Sequence, residues 1–309
     1  MSSFPEDPHP RPEDAAARAS DAFLGAVRRL IARRVCKAMG FAMLGRDEIE
    51  QLLPGKMLRT RLAARLAAAG ATTVNRRTLR HACAATELVH TASLCHDDVV
   101  DNAVIRRARP ALWQTTGASA AILIGDLLLC EALGLVTDVE GGRLMPVFVA
   151  KVREVIRTEV EQELLLRGRR VDEGECIRVA RGKTGPLFAL VAQVCGGQEA
   201  GLSEALEEAG YRIGTAYQLA DDLLDVAGDE DVAGKTLGTD SMRRKFTLPL
   251  SDAGGGRVAR RHVAELCESA LTCLDAHPAA RRALAEFLAR DLQPVLDRHL
   301  DVCADVAER

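Results

Sequence analysis

From about residue 18 to the end of the 309-residue chain, apolar positions recur at steps of three and four, as in AFLGAVRRLIARRV at 22–35. Ala, Leu, Arg and Glu dominate these segments, which is the period and composition of amphipathic helices. Alternating β-branched runs are nearly absent, as are Asn-Gly and Asp-Gly hairpin turns. Breaks fall at Pro54-Gly55, Gly70, Arg109-Pro110, Gly141-Gly142, Gly185-Pro186, Gly196-Gly197, residues 228–240 and Gly254-Gly255-Gly256, and cut the chain into about ten helices. No Pro/Ser-rich linker and no fixed-period repeat divides it. The pattern predicts one all-α domain over 19–309, a large single-domain bundle around a deep central cavity. Residues 1–18 carry four prolines and many charges without an apolar h-region, so they are expected as a disordered lead-in and not a signal peptide.

Composition narrows the function. Hydrophobic residues make up 48% of the chain, enough for a substantial core, and the net charge is only −3. With 3% aromatics, neither a nucleic-acid surface nor a base-stacking platform is expected. Nine cysteines without a CxxC pair read as reduced core thiols, hence a cytoplasmic protein. Residues 118–136, ASAAILIGDLLLCEALGLV, are the most membrane-like stretch, but Asp126 and Glu131 would be costly in lipid. A buried helix is expected there instead of a transmembrane span.

Within the apolar run LCHDDVVDNAVIRRARPALW (94–113), Asp97 and Asp101 stand four apart on one helix face, with Asp98 beside them. Like charges so placed repel, and burial raises the cost. A divalent cation reverses that sign, and hard carboxylate oxygens suit Mg²⁺, which completes its shell with water and substrate phosphate. One such turn could be a solvated acidic face. The second, Asp221, Asp222 and Asp225 in YQLADDLLDV, repeats the spacing on another apolar helix. Facing each other, the two would line a cleft with six carboxylates, able to hold several Mg²⁺ ions and a diphosphate behind them.

Basic residues could complete an anion site. Arg106 and Arg107 follow the first turn, Lys56 and Arg59 lie in PGKMLRTRL, Lys183 in RGKTGPLF and Lys235 in AGKTLGTD. Any one alone reads as a solvated charge. Arginine suits bidentate phosphate contacts, and a lysine at a Gly-rich turn makes a point contact. The two GKT triplets lack the rest of GxxxxGK[ST], so a P-loop is rejected.

Across about residues 50–250 the chain resembles the trans-type (head-to-tail) isoprenyl diphosphate synthases, the polyprenyl synthetase family. The resemblance rests on LPGKMLRT, ELVHTASLCHDDVVDNAVIRRARP, GDLLL (125–129), TEVEQ (158–162), KTGPLF (183–188) and YQLADDLLDVAGD, followed by GKTLGTD and RRKFTLPL, in order. It implies the all-helical isoprenoid synthase fold, a homodimer, and two substrates, isopentenyl diphosphate and an allylic prenyl diphosphate. Asp97, Asp101 and Asp221 would be the main ligands of three Mg²⁺, with Asp98, Asp222 and Asp225 supporting. Arg106, Lys183 and Lys235 would contact the allylic diphosphate, with Lys245 near it. Lys56, Arg59, His90 and Arg107 would hold the other diphosphate. Gln218 and the backbone at Lys183-Thr184 would face the developing carbocation. The implied chemistry is ionisation, condensation and elimination, and it needs no protein nucleophile. Thr60, Ala108, Thr158 and Gly185 depart from the family pattern, which has Pro, Gly, Gly and Ala there.

Residues one turn before Asp97 should set product length: Ala92 and Ser93, then Leu88. None is aromatic, so the expectation is an all-trans product of C20 or longer, more narrowly C25–C40. The alternatives are a geranylgeranyl or farnesyl diphosphate synthase, or a regulatory subunit, although such subunits typically lose an aspartate turn. A class I terpene cyclase fits less well, with one Trp and two Tyr available for cation–π contacts.

Overall fold

The computed structural model describes residues 12–227, 236–238, 245, 247–248 and 255–301. Its long helices are α1 (Pro12–Met43), α3 (Leu58–Ala68), α4 (Arg76–Val100), α6 (Ala118–Thr137), α7 (Met145–Glu161), α8 (Glu173–Gly196), α9 (Ala200–Ala227) and α10 (Gly255–Thr272). Shorter ones are α2 (Arg46–Gln51), α5 (Leu112–Thr116), α11 (Pro278–Phe287) and α12 (Gln293–Asp301). The all-α expectation holds. α1 begins at Pro12, inside the stretch expected as lead-in.

Two expected features differ. Gly185-Pro186 does not end a helix, because α8 runs through Pro186. Packing of α8 against α3, α4, α7 and α9 outweighs the local cost of the proline. Arg109-Pro110 belongs to a small hairpin, β1 (Ile105–Arg106) pairing antiparallel with β2 (Arg109–Pro110). Its two-residue loop, Arg107-Ala108, has both φ angles positive, near 54° and 56°. That is a primed turn built without the glycine that usually announces one.

α8 and α9 form the centre, with α4 and α7 against α8 and α10 against α9. α8 and α9 approach most closely at glycines: a Cβ on Gly214 would lie 2.6 Å from the Gly185 Cα. This crossing brings Thr184 and Gln218 together. Large buried side chains such as Phe148, Phe188, Leu88, Leu128 and Leu190 fill the core. α6 packs on α4 and buries Ala121, Leu128 and Ala132. It is long and apolar enough to cross a membrane, and only 39% of its apolar window is buried, with Ile122 and Leu123 exposed. It is therefore less covered than the sequence suggests.

Candidate active site

A cavity of about 430 Å³ opens between the C-terminal ends of α4 and α9. Asp97 and Asp101 line one wall, Asp221, Asp222 and Asp225 the facing one. Lys56, Arg59, His90, Arg106, Arg107, Lys183, Thr184 and Gln218 line the same space. Helix periodicity accounts for this convergence, since positions three and four apart present their side chains in one direction. Lys235 lies outside the described residues.

Asp98 is not on the lining. It is 3% exposed and accepts two bonds from Arg106, from Nε at 2.9 Å and Nη2 at 2.5 Å. It fixes Arg106 at the cavity edge. Burial pushes the Asp98 carboxyl up despite that guanidinium. Lys245, also buried, donates to Asp101 at 2.8 Å. Asp97 is pushed up to about 7, first by burial and then by Glu159, with Lys183 opposing and Asp101 adding to the rise. An acid held near neutrality by burial and like charges is a place where a cation is favoured. Among the described residues no three acids form a closed metal cage. An open, all-oxygen donor set on two walls fits Mg²⁺, which shares its shell with a phosphate ligand.

The polar wall opposite is tied together across helices. Thr184 donates to Gln218 Oε1 at 2.5 Å, and Gln218 Nε2 donates to Asp222 at 2.7 Å. Lys183 reaches Gln162 at 3.0 Å and Glu159 at 3.1 Å. Glu159 and Gln162 were not singled out from sequence, although both lie in TEVEQ; their three-residue spacing is common on any helix. Thr158 packs against Gly182, where a Cβ would come within 2.3 Å of the threonine hydroxyl.

The second basic set is more deeply buried. Arg59 is 8% exposed and its guanidinium lies 5.1 Å over the Phe188 ring. Its Nε is buried without a hydrogen-bond partner. Such a group awaits an acceptor, and burial lowers its pKa. His90 is pushed well below the usual imidazole range by burial, then by Arg59, Arg107 and Arg106, so it is neutral near pH 7. Arg107 turns toward the loop before α3 and donates to the Leu53 carbonyl at 2.5 Å and that of Gln51 at 3.2 Å. It braces the loop that carries Lys56. Glu87, buried and on the lining, faces this cationic set and was also not foreseen.

Of the three positions expected to set product length, Ser93 lines the cavity, joined by Leu94. Ala92 and Leu88 are buried in the core and are not on the lining. Tyr217, one turn before Asp221, also lines the cavity, with tilted ring contacts to Phe188 at 6.3 Å and His299 at 5.8 Å.

The chain matches known proteins in sequence and in fold. Residues 46–277 match the family model described as polyprenyl synthetase. The chain is 36% identical over 171 residues to octaprenyl diphosphate synthase of Haemophilus influenzae, covering 54% of this chain and 52% of that one. It is 36% identical over 190 residues to (2E,6E)-farnesyl diphosphate synthase of Mycobacterium bovis, covering 59% and 53%. The chain thus spans about half the length of these curated relatives. A solved polyprenyl synthase from Caulobacter crescentus, complexed with calcium and isoprenyl diphosphate, superposes with a TM-score of 0.68 at 28% identity, covering 94% of this chain and 96% of that one.

Proposed function

The chain belongs to the polyprenyl synthetase family, and from that premise we propose that it is a Mg²⁺-dependent head-to-tail prenyltransferase. It would join isopentenyl diphosphate to an allylic diphosphate and release an all-trans polyprenyl diphosphate. The observation that carries the reading is the pairing, in one cavity, of two facing aspartate turns with two separate basic sets. We assign one basic set to each diphosphate. Bound Mg²⁺, held by Asp97, Asp101 and Asp221 with Asp222 and Asp225 in support, and with Asp98 acting through Arg106, would neutralise the leaving diphosphate and favour ionisation of the allylic C–O bond.

The chain's own groups do the rest. Arg106, Lys183 and Lys245, with Lys235, hold the allylic diphosphate. Lys56, Arg59, His90 and Arg107 hold the second diphosphate and aim its double bond at C1. The Gln218 carbonyl, fixed by the Thr184 hydroxyl, turns a dipole toward the cation. Leu94, Val155, Leu187 and Phe188 give the growing chain an apolar patch on the cavity lining. The small Ser93 leaves room for products of C20 or longer, with C25–C40 as the narrower expectation.

A second copy of the chain would cover the exposed apolar faces of α6 (Ile122, Leu123) and its neighbour α7 (Val149, Ile156, Val160). The free cysteines among the described residues fit a reducing cytoplasm.

The test is incubation with Mg²⁺, isopentenyl diphosphate and, separately, C5, C10, C15 and C20 allylic diphosphates, with products sized by mass spectrometry. A ladder ending at one length is expected. No extension of any primer by folded protein would refute the stand-alone enzyme and favour a regulatory subunit.

A further inference from the structure

α3 begins under strain and without a cap of its own. Met57, the residue before it, sits in the left-handed region at φ 54°, and no side chain from the preceding residues caps the helix. The first in-helix bond runs from the Arg61 N–H to the Met57 carbonyl at 2.8 Å. The amide N–H groups before Arg61 are among the orphan donors of any helix start. One of them belongs to Thr60, which is fully buried. Both its donors go to a single acceptor on another helix. Thr60 Oγ1 donates to Glu87 Oε1 at 2.8 Å, and the Thr60 N–H points to the same oxygen at 3.3 Å. Glu87, itself 3% exposed, thus caps α3 in trans from α4.

The neighbour of Thr60 is Arg59. Its guanidinium has the Phe188 ring on one side and feels the Glu87 charge, and its Nε has no protein acceptor. Glu87 also lies nearly one turn before His90, and both line the cavity. The Thr60–Glu87 contact therefore pins the first turn of α3 to α4 right beside Arg59. A proline at 60 would have neither donor, so the clamp depends on the threonine.

We propose that Thr60 and Glu87 are positioning residues that aim Arg59 at the diphosphate of the non-allylic substrate. The inference rests on the synthase reading given above. Thr60→Val keeps the shape and the N–H but removes the hydroxyl donor, and Thr60→Ser keeps both donors. Isopentenyl diphosphate alone, which cannot react without a primer, is titrated calorimetrically into wild type and both variants with Mg²⁺ present. Primer KM and melting temperature are measured alongside.

Thr60→Val should weaken isopentenyl diphosphate binding about tenfold, the scale of one buried hydrogen bond. Primer KM should move less than about twofold, and Thr60→Ser should restore binding. If Thr60→Val fails to fold, Thr60→Ala is read the same way. Unchanged isopentenyl diphosphate affinity, with or without a lower melting temperature, would overturn the clamp. So would equal weakening of both substrates. Wild-type protein that is folded yet binds no isopentenyl diphosphate would instead overturn the synthase reading.

Discussion

The aspartate turns ending α4 and α9 share one spacing and live in different surroundings. On α4, Asp98 is locked to Arg106 and Asp101 accepts from Lys245, while Asp97 is pushed up to about 7. On α9, Asp222 accepts from the neutral amide of Gln218, which in turn is held by Thr184. One turn before Asp97 the lining carries the small Ser93; one turn before Asp221 it carries the bulky Tyr217, in tilted contact with two rings. Equal spacing therefore fixes where carboxylate oxygens can stand, and distant partners decide what each turn contributes. The first turn stands one helical turn beyond a small lining residue. The second stands one helical turn beyond a bulky aromatic one.

The largest effect should be common to both. Asp97→Ala and Asp221→Ala should each lower kcat about a thousandfold, the cost of losing a principal electrostatic contact. Steady-state rates at saturating Mg²⁺ measure this. A tolerated loss at either position would break the idea that both walls share the leaving group.

The next effect should separate the turns. Asp98→Asn removes the charged acceptor of a buried Arg106 bond and should cost about 2 kcal/mol of folding stability. Asp222→Asn leaves an amide oxygen for Gln218 at a half-buried position and should cost less than Asp98→Asn. Urea unfolding of the two variants compares them, and equal destabilisation would erase the distinction.

That distinction was only partly legible in the sequence. Helix period, both Asp-Asp-x-x-Asp turns and the basic segments could be read because each depends on neighbours within a turn or two. The Arg106–Asp98 bond was hidden by a hairpin whose loop residues, Arg107 and Ala108, carry no turn signature. Glu87, Glu159 and Gln162 were hidden differently. Their partners Thr60 and Lys183 lie 27, 24 and 21 residues away, a distance that helix periodicity does not span. The choice between Ala92 and Ser93 needed the rotation of α4, which spacing leaves uncertain by one position.

A smaller effect is set by pH. The Asp97 carboxyl is raised from 3.8 to about 7 because burial, Glu159 and Asp101 disfavour its charge. Below that value the metal-free protein holds a proton there; above it the carboxylate is already ionised. Mg²⁺ needs the carboxylate and must displace the proton. Affinity should therefore fall by up to about tenfold for each pH unit below 7 and level off above it. Calorimetric Mg²⁺ titrations between pH 5.5 and 8, on the order of half-unit steps, measure the slope. Asp97→Asn should flatten it, and an unchanged slope in that variant would assign the proton elsewhere, for example to the α9 turn.

The smallest change in rate, and the sharpest test of the space beneath the first turn, concerns product length. Ser93 lines the cavity beneath Asp97, whereas Ala92 points into packed core. Ser93→Phe places a ring in the path of the growing chain and should shorten the product by at least one C5 unit while turnover of short primers is largely kept. Ala92→Phe forces a ring into filled space and should instead cost about 1–3 kcal/mol of stability. Mass spectrometry of dephosphorylated products and thermal melting separate the two results. If Ala92→Phe alone shortens the product, α4 presents its other face to the chain, and the contrast between a small residue under the first turn and a bulky one under the second does not bear on product length.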